Sequence, residues 1–433
     1  MTALAELQTL PEGVSETSEL ISRFDEALHH GFARLAETQR ESLAAYASAF
    51  QGSPLEEPIS SAVEAIARSE FLPRHFLALA AGRVALQGAQ YDALMEQLYQ
   101  ALGRERIEIE PPTPISSGEA SSMLAGTQQW LMEIASAGFA NLVEDSVAPF
   151  MATLEHLQND PRLTPLAAMT TGFVTELLEH MPAERQPELP VFRWADLWAG
   201  VMMRTQHLPG HGASETVSGI VTILGVDVRS HRNFVNAILY GLLRQGDSVK
   251  TVRIPFARYK VDMISGPDIW ELFGDSGETV LMALMTHQQI KVANAELTPH
   301  GDLLLLQAPN SAKPCDPFTL IEYMEFFPAV PPLQRHPVQI AELVYVKADQ
   351  ALPIDRTRLP DKSALTPAVM KSAKEIIGLV RFDSGQWRLQ PLAVRSAKTT
   401  TIGGQEFAVA RNKRKSKTLA VLTERAGKLL RGK

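Results

Sequence analysis

Apolar residues recur at helical spacing through the first part of the chain. Over residues 16–50 they fall three and four positions apart, which predicts one long helix. The segment "QGSPLEEP" at 51–58 then interrupts the pattern with a glycine and two prolines. Helical spacing returns over 59–69 and 75–103. These segments predict an antiparallel helical bundle over residues 1–106.

A proline-rich segment, "IEIEPPTPISSGEASS", predicts a linker at residues 107–122. Helical spacing resumes beyond it over 120–158 and 163–181, and "VFRWADLWAGVMMRTQHL" continues it from residue 191. The sequence therefore predicts a second helical region over 123–214.

The pattern changes to alternation of apolar and polar residues near residue 215. "ETVSGIVTILGVDVRSH" is β-branched and predicts a strand. "NAILYGLLRQGDSVKTVRIPFA" predicts two strands that turn at Gly246 and Asp247, and "GLVRFDSGQWRLQPLAV" predicts a hairpin that turns at 383–385. A further pair with a turn at 299–301, the segment "AELVYVKA" and a hairpin in "TTTIGGQEFAVA" complete the predicted strands.

Short helices are predicted between these strands at 266–274, 278–289 and 366–377. Repeated βαβ units are missing from the pattern, which argues against a doubly wound parallel sheet. We therefore expect an α+β protein with a bundle-like helical N-terminal half. Its C-terminal half, residues 215–410, is mixed and β-rich with mostly antiparallel strands, and a basic amphipathic tail follows at 411–433.

Composition fits a globular chain of the cell interior. Apolar residues make up 45% and charged residues 21% of the 433 positions. The single cysteine excludes an intrachain disulfide, which is typical of a reducing compartment. The N-terminus lacks the pattern of a secretory signal, and no run approaches the ~20 apolar residues of a membrane span. We expect a cytoplasmic protein that is not an integral membrane protein.

Charge is distributed unevenly along the chain. The whole sequence carries −8, but its last 23 residues hold nine basic residues and one acidic residue. That segment is therefore +8 and the preceding 410 residues are −16. The tail should attract polyanions that the rest of the chain repels.

The tail combines two patterns. "RNKRKSK" is basic and contains no apolar residue, whereas "TLAVLTERAGKLLRG" places leucines on one stripe of a helix and basic residues away from it. At about 14 residues such a helix is marginal alone and should form on contact with a partner. The residues predicted to make that contact are Arg411, Lys413, Arg414, Lys415, Lys417, Leu419, Leu422, Arg425, Lys428, Leu429 and Arg431.

Three targets suit this segment. It can dock on a protein surface, either on its own acidic body or on a partner protein. It can bind nucleic acid through the phosphates, although no aromatic residue is interleaved for base stacking. It can lie on an anionic membrane, although its short helix lacks tryptophan and phenylalanine. A partner protein is the expected target.

Candidate catalytic motifs are incomplete. "GDSG" at 274–277 resembles the segment around the nucleophile of chymotrypsin-like serine proteases, but the histidine motif and the Gly-Pro continuation of that family are missing. Between two predicted helices it favours a turn and helix cap. Cys315 lies in "SAKPCDPF" without an adjacent base.

Candidate ligands for a metal are also sparse. His207 and His211 are four residues apart, with His231 further on, but Pro209 and Gly210 break the helical geometry that would join the first two. No phosphate-binding glycine loop is present. We predict no catalytic, cofactor-binding or metal-binding residue.

These observations predict a non-catalytic adaptor or a subunit of a larger cytoplasmic assembly, attached through its basic C-terminal segment. A hydrolase-type enzyme with an unrecognised active site in the C-terminal half is the first alternative. A nucleic-acid-associated protein is the second.

Overall fold

Helices and antiparallel sheets occupy different halves of the chain in the computed structural model. The residues that the structure describes are 4, 7, 9–105, 121–160, 163–206, 214–230, 234–260, 266–328, 340–359, 363–383, 385–397 and 399–404. The helices of the N-terminal half are α1 (Val14–His30), α2 (Glu37–Ser48), α3 (Glu56–Ala67), α4 (Pro73–Leu102), α5 (Ser121–Ala137), α6 (Met151–Asn159), α7 (Thr164–Glu179) and α8 (Val191–Arg204).

These eight helices share one hydrophobic core. Phe24 of α1, Tyr46 of α2 and Trp198 of α8 are in ring contact within it, and all three side chains are buried. Trp198 also donates a hydrogen bond from Nε1 to the carbonyl oxygen of Leu131 in α5, at 3.0 Å. Helices on both sides of 107–122 therefore contribute to the same core.

The single helix predicted over 16–50 is wrong, because the structure divides it. Helix α1 ends at His30, and Gly31 follows with φ 98°. A Cβ atom at Gly31 would lie 2.5 Å from the carbonyl oxygen of Ala137, and one at Gly138 would overlap the backbone of His30 and Gly31. The two backbones thus meet at paired glycines, and the same contact explains why the helix predicted over 120–158 stops at Ala137.

Ten strands lie in the described part of the C-terminal half, together with helices α9 (Gly274–Thr286) and α10 (Pro367–Lys371). The strands are β1 (Glu215–Ser230), β2 (Phe234–Gln245), β3 (Ser248–Tyr259), β4 (Gln288–Leu297), β5 (Leu303–Leu304), β6 (Asn310–Pro314), β7 (Glu342–Lys347), β8 (Glu375–Asp383), β9 (Gln386–Arg395) and β10 (Thr400–Ile402).

Two antiparallel sheets result from these strands. The larger has the order β3-β2-β1-β4-β5, with β6 also paired to β4, and the smaller has the order β10-β9-β8-β7. The register places Gln245 opposite Ser248 and Asp383 opposite Gln386, so both predicted hairpin turns are confirmed. The α+β class, with helices first and antiparallel sheets second, is also confirmed.

The smaller sheet is covered on both faces. Ile377, Leu379 and Leu392 belong to the core shared with the larger sheet. Ile376 and Val380 belong to a third core, which includes residues from the C-terminal half of α4. The smaller sheet therefore lies between the larger sheet and α4.

Burial on both faces also corrects one predicted helix. The helix predicted over 366–377 extends only to Lys371, and Glu375 already begins strand β8. Ile376 and Ile377 face opposite cores, which a central strand allows because successive side chains alternate between its faces.

No described helix combines the length and apolar character that crossing a bilayer requires.

Candidate functional site: a cleft between the helices and the smaller sheet

A cleft of about 710 Å³ opens where the helical half meets the smaller sheet. Helices α1, α4 and α8 form one wall, and the end of β8 with neighbouring loop residues forms the other. Its apolar lining includes Val14, Tyr91, Leu94, Phe192 and Ile340. Phe192 is 57% exposed.

Helix α1 faces the cleft with small and apolar residues at helical spacing. Val14, Ser18 and Ile21 line it together with Ser15 and Ser22. Positions three and four apart share one face of a helix, so the short serine side chains leave room along this wall. Three serines of α1 therefore contribute small side chains to this wall of the cleft.

A buried charge network lies behind the helical wall. Arg83 of α4 binds Asp25 of α1 through two hydrogen bonds, Nε to Oδ1 at 2.6 Å and Nη2 to Oδ2 at 2.8 Å. Its Nη1 donates to Oδ1 of Asp196 in α8 at 2.5 Å, and Gln87 Nε2 donates to the same oxygen at 2.5 Å. The Arg83 guanidinium also lies 5.3 Å from the centre of the Phe192 ring. We call Asp25, Arg83, Gln87 and Asp196 the helix network.

The helix network holds two carboxylates and only one cation. Burial raises the pKa of Asp25 from 3.8 to about 6, although the Arg83 guanidinium acts in the opposite direction. Two carboxylates against one guanidinium give the helix network a formal charge of −1. Buried charge of this kind is costly unless a partner group balances it.

A second buried network lies behind the sheet wall. Arg381 of β8 donates from Nη2 to Oδ2 of Asp227 in β1, at 2.8 Å, and from Nε to Oε1 of Gln390 in β9. Gln390 Nε2 donates to Oδ1 of Asp227 at 2.7 Å. Arg229 Nε also donates to Asp227, at 3.1 Å. We call these four residues the sheet network. It joins the two sheets, because Asp227 belongs to the larger sheet and its partners Arg381 and Gln390 to the smaller one.

The remaining charged residues of the cleft are paired at its rim. Arg358 Nη2 lies 2.6 Å from Oδ2 of Asp383, and Arg193 of α8 is paired with Glu176 of α7. Both arginines are partly exposed, so these pairs are solvated and add little net charge to the interior of the cleft.

In each network, one charged side chain that lines the cleft keeps an atom to which the structure gives no hydrogen bond. Among the described residues, the structure gives no hydrogen bond to Oδ2 of Asp196 or to Nη1 of Arg381. Both residues line the cleft, and their relative exposures are only 3% and 2%. An acceptor atom on one wall and a donor atom on the other, each at the end of a mostly buried side chain, are thus available to a bound molecule.

The sequence interpretation missed both residues. Asp196 stands in "WADLW" and Arg381 in "LVRF", each a charged residue within an otherwise apolar run. A charge at a core position is costly unless it is paired or functional, and this was the signal that could have identified them.

The residues singled out from sequence are placed as follows. All of the tail residues from Arg411 onwards lie outside the described residues, as do His207, His211 and His231. No group of three or more histidine, cysteine or acidic residues in the described segments could hold a metal ion.

The protease-like "GDSG" segment forms the first turn of α9. A Cβ atom at Gly277 would lie 2.5 Å from Cβ of Phe273 and 3.0 Å from the carbonyl oxygen of Trp270. Close packing therefore accounts for the second glycine of the motif. Cys315 Sγ contacts the carbonyl oxygen of Asp316 and the hydroxyl of Thr319, both at 3.7 Å, and neither group is a base that would form a thiolate.

Comparison with family models, with curated proteins and with solved structures finds no match for this chain.

Proposed function

We propose that this protein is a non-catalytic adaptor, a cytoplasmic subunit that attaches to a partner protein through residues 411–433. The folded body supplies an acidic module, and the basic segment supplies the attachment. The observation that carries the proposal is the division of charge among the three parts of the chain.

The acidic excess of the body lies entirely in its helical half. Residues 1–214 contain 28 acidic residues and 12 arginines and no lysine, a net charge of −16. Residues 215–410 contain 20 acidic and 20 basic residues and are neutral. The basic tail at +8 follows directly after this neutral half.

This division favours a protein target over a nucleic acid. A nucleic acid attracted to the tail would also meet the field of the helical half, whose charge is twice as large and negative. A partner protein with an apolar groove between acidic residues matches both the leucine stripe and the basic residues of the predicted helix. Such a partner offers a local acidic site without the extended charge of a polyanion.

Pull-down from lysate with the full chain and with a chain that ends at Ala410 tests the proposal. Truncation should abolish partner capture. Leu422→Asp should also abolish it, because the substitution places a charge in the leucine stripe. Ser416→Asp is the matched control, since it introduces the same charge outside the predicted helix, and it should weaken capture only slightly.

Other outcomes separate the alternatives. Capture that disappears on nuclease treatment, falls steeply with salt and tolerates Leu422→Asp would replace the adaptor proposal by a nucleic-acid-associated one. Flotation with anionic vesicles alone would indicate membrane attachment. Equal capture by the full and truncated chains would overturn the role of the tail.

A further inference from the structure

The cleft between the helices and the smaller sheet has complementary charges on its two walls. On the helical wall, Asp196 uses Oδ1 for both Arg83 and Gln87, and Oδ2 is left without a partner among the described residues. On the sheet wall, Arg381 uses Nε and Nη2 for Gln390 and Asp227, and Nη1 is likewise left over.

The helical wall has the electrostatic properties of a cation site. Arg83 is the only cation of the helix network, and it binds Asp25 through two hydrogen bonds and Asp196 through one. The two carboxylates therefore leave one negative charge unbalanced in a buried place. A primary ammonium group at Oδ2 of Asp196 would balance this charge and would donate the missing hydrogen bond.

The sheet wall has the properties of an anion site. Arg381 shares its carboxylate partner, Asp227, with Arg229 and Gln390. The guanidinium is a planar fork that binds carboxylates well, and its side chain is held in place by Gln390 and Asp227. A carboxylate in the cleft can thus reach a preorganised donor at Nη1.

Apolar side chains share the lining of the cleft with Asp196 and Arg381. Tyr91, Leu94 and Ile340 are buried in the lining, and Phe192 stands exposed at its edge. A bound molecule with an apolar part would cover Phe192. The cleft volume of about 710 Å³ also lies within the ~300–1,000 Å³ usual for small-molecule sites.

We propose that this cleft binds a small zwitterion with an apolar side chain, an amino acid or short peptide, whose ammonium contacts Asp196 and whose carboxylate contacts Arg381. A molecule with a single charge would balance one wall and leave the other without a partner. This site does not involve residues 411–433, so its test is independent of the test of the adaptor proposal.

Isothermal titration of the full chain with four probes tests the site. The probes are L-leucine, L-phenylalanine, the dipeptide Leu-Leu and the dipeptide Leu-Phe. We expect at least one of them to bind with a stoichiometry of about one per chain. For each binding probe, the analogue without the carboxylate (an amide) and the analogue without the amine (a des-amino acid) should bind more than about tenfold more weakly, because each lacks one of the two charge-assisted contacts.

Two sets of variants locate the binding. Asp196→Asn should weaken binding of the zwitterion more than about tenfold but should leave binding of the des-amino analogue almost unchanged. Arg381→Gln should likewise weaken binding of the zwitterion but should leave binding of the amide almost unchanged. Ser22→Phe fills the cleft from an exposed position of α1 without touching either network, so it should abolish binding even if the charge variants fold poorly. Ser48→Phe, on the exposed part of α2 and outside the cleft lining, is its control.

Retained binding in Ser22→Phe would place any bound zwitterion elsewhere and would overturn the proposal. So would the absence of heat with all four probes at concentrations up to about 10 mM, or equal affinities for the zwitterion and its two analogues.

Discussion

Replacing Asp25 by asparagine removes a buried carboxylate whose pKa the fold raises. Burial takes this pKa from 3.8 to about 6, so the folded state binds a proton more tightly than the unfolded chain does. Asp25 therefore contributes stability that is complete below about pH 4 and is lost as the pH rises through about 6. The full effect of such a shift is about 3 kcal/mol.

The part of this effect that can be measured lies between about pH 5 and about pH 7.5. Over that interval Asp25 loses its proton in the folded state, while in the unfolded chain it is already ionised. The wild type should lose about 1 to 2 kcal/mol of unfolding free energy from this group alone. Asp25→Asn lacks this loss, so its stability relative to the wild type should improve by the same amount as the pH rises.

Urea unfolding of the wild type and of Asp25→Asn at the two pH values measures how the difference in their unfolding free energies changes with pH. Tryptophan fluorescence is a suitable probe, because Trp194 and Trp198 are buried in the helical core that contains Asp25. Any destabilisation by asparagine that does not depend on pH cancels in this comparison, as do the contributions of the other titrating groups. Ser22→Ala, a substitution of a non-titrating residue on the same helix, is the control and should show no such pH dependence.

If the wild type and Asp25→Asn differ in unfolding free energy by the same amount at both pH values, this reasoning is refuted. A difference of opposite sign would show that Arg83 dominates burial, so that Asp25 stabilises the protein in its ionised form.

Further predictions concern the same core and its glycines. Arg83→Met leaves the two carboxylates of the helix network without a cation and should destabilise the protein by about 3 to 5 kcal/mol in urea unfolding; a loss below about 1 kcal/mol would contradict the buried network. Gly82→Ala should cost about 1 to 3 kcal/mol, because the added Cβ would overlap Tyr46 Oη and lie 2.7 Å from Ile59 Cδ1. Gly172→Ala, in α7 with nothing within 4 Å of the new Cβ, should instead stabilise by about 0.5 to 1 kcal/mol, and a thermal melt in which both glycine variants shift in the same direction would contradict the packing argument.

Local patterns were sufficient for most of the fold. Alternation and turn residues located the β2-β3 and β8-β9 hairpins, because both depend on neighbours in sequence. Helical spacing located the helices of the N-terminal half, but it predicted helices that continue through Gly31 and Gly138, where the structure ends them. Those ends are decided by a contact between two backbones that lie far apart in the chain, and periodicity carries no information about such a contact.

The candidate site, in contrast to the fold, could not be predicted from the sequence. Charge counts and the amphipathic pattern of residues 411–433 could be determined from sequence, because both are properties of composition and spacing. The cleft could not, since its charged walls depend on partners from distant elements. Arg83 and Asp196 are 113 residues apart, and Asp227 and Arg381 are 154 residues apart.

The sequence by itself thus determined the α+β class, the separation of helices from sheets and the division of charge, all of which follow from local propensity and composition. Only the tertiary structure decided which buried charges meet and which of their atoms remain without a partner. Propensity acts over a few residues, whereas burial and hydrogen-bond satisfaction depend on which segments the folded chain brings into contact. For this reason only the folded chain placed the charges of "WADLW" and "LVRF" on opposite walls of one cleft.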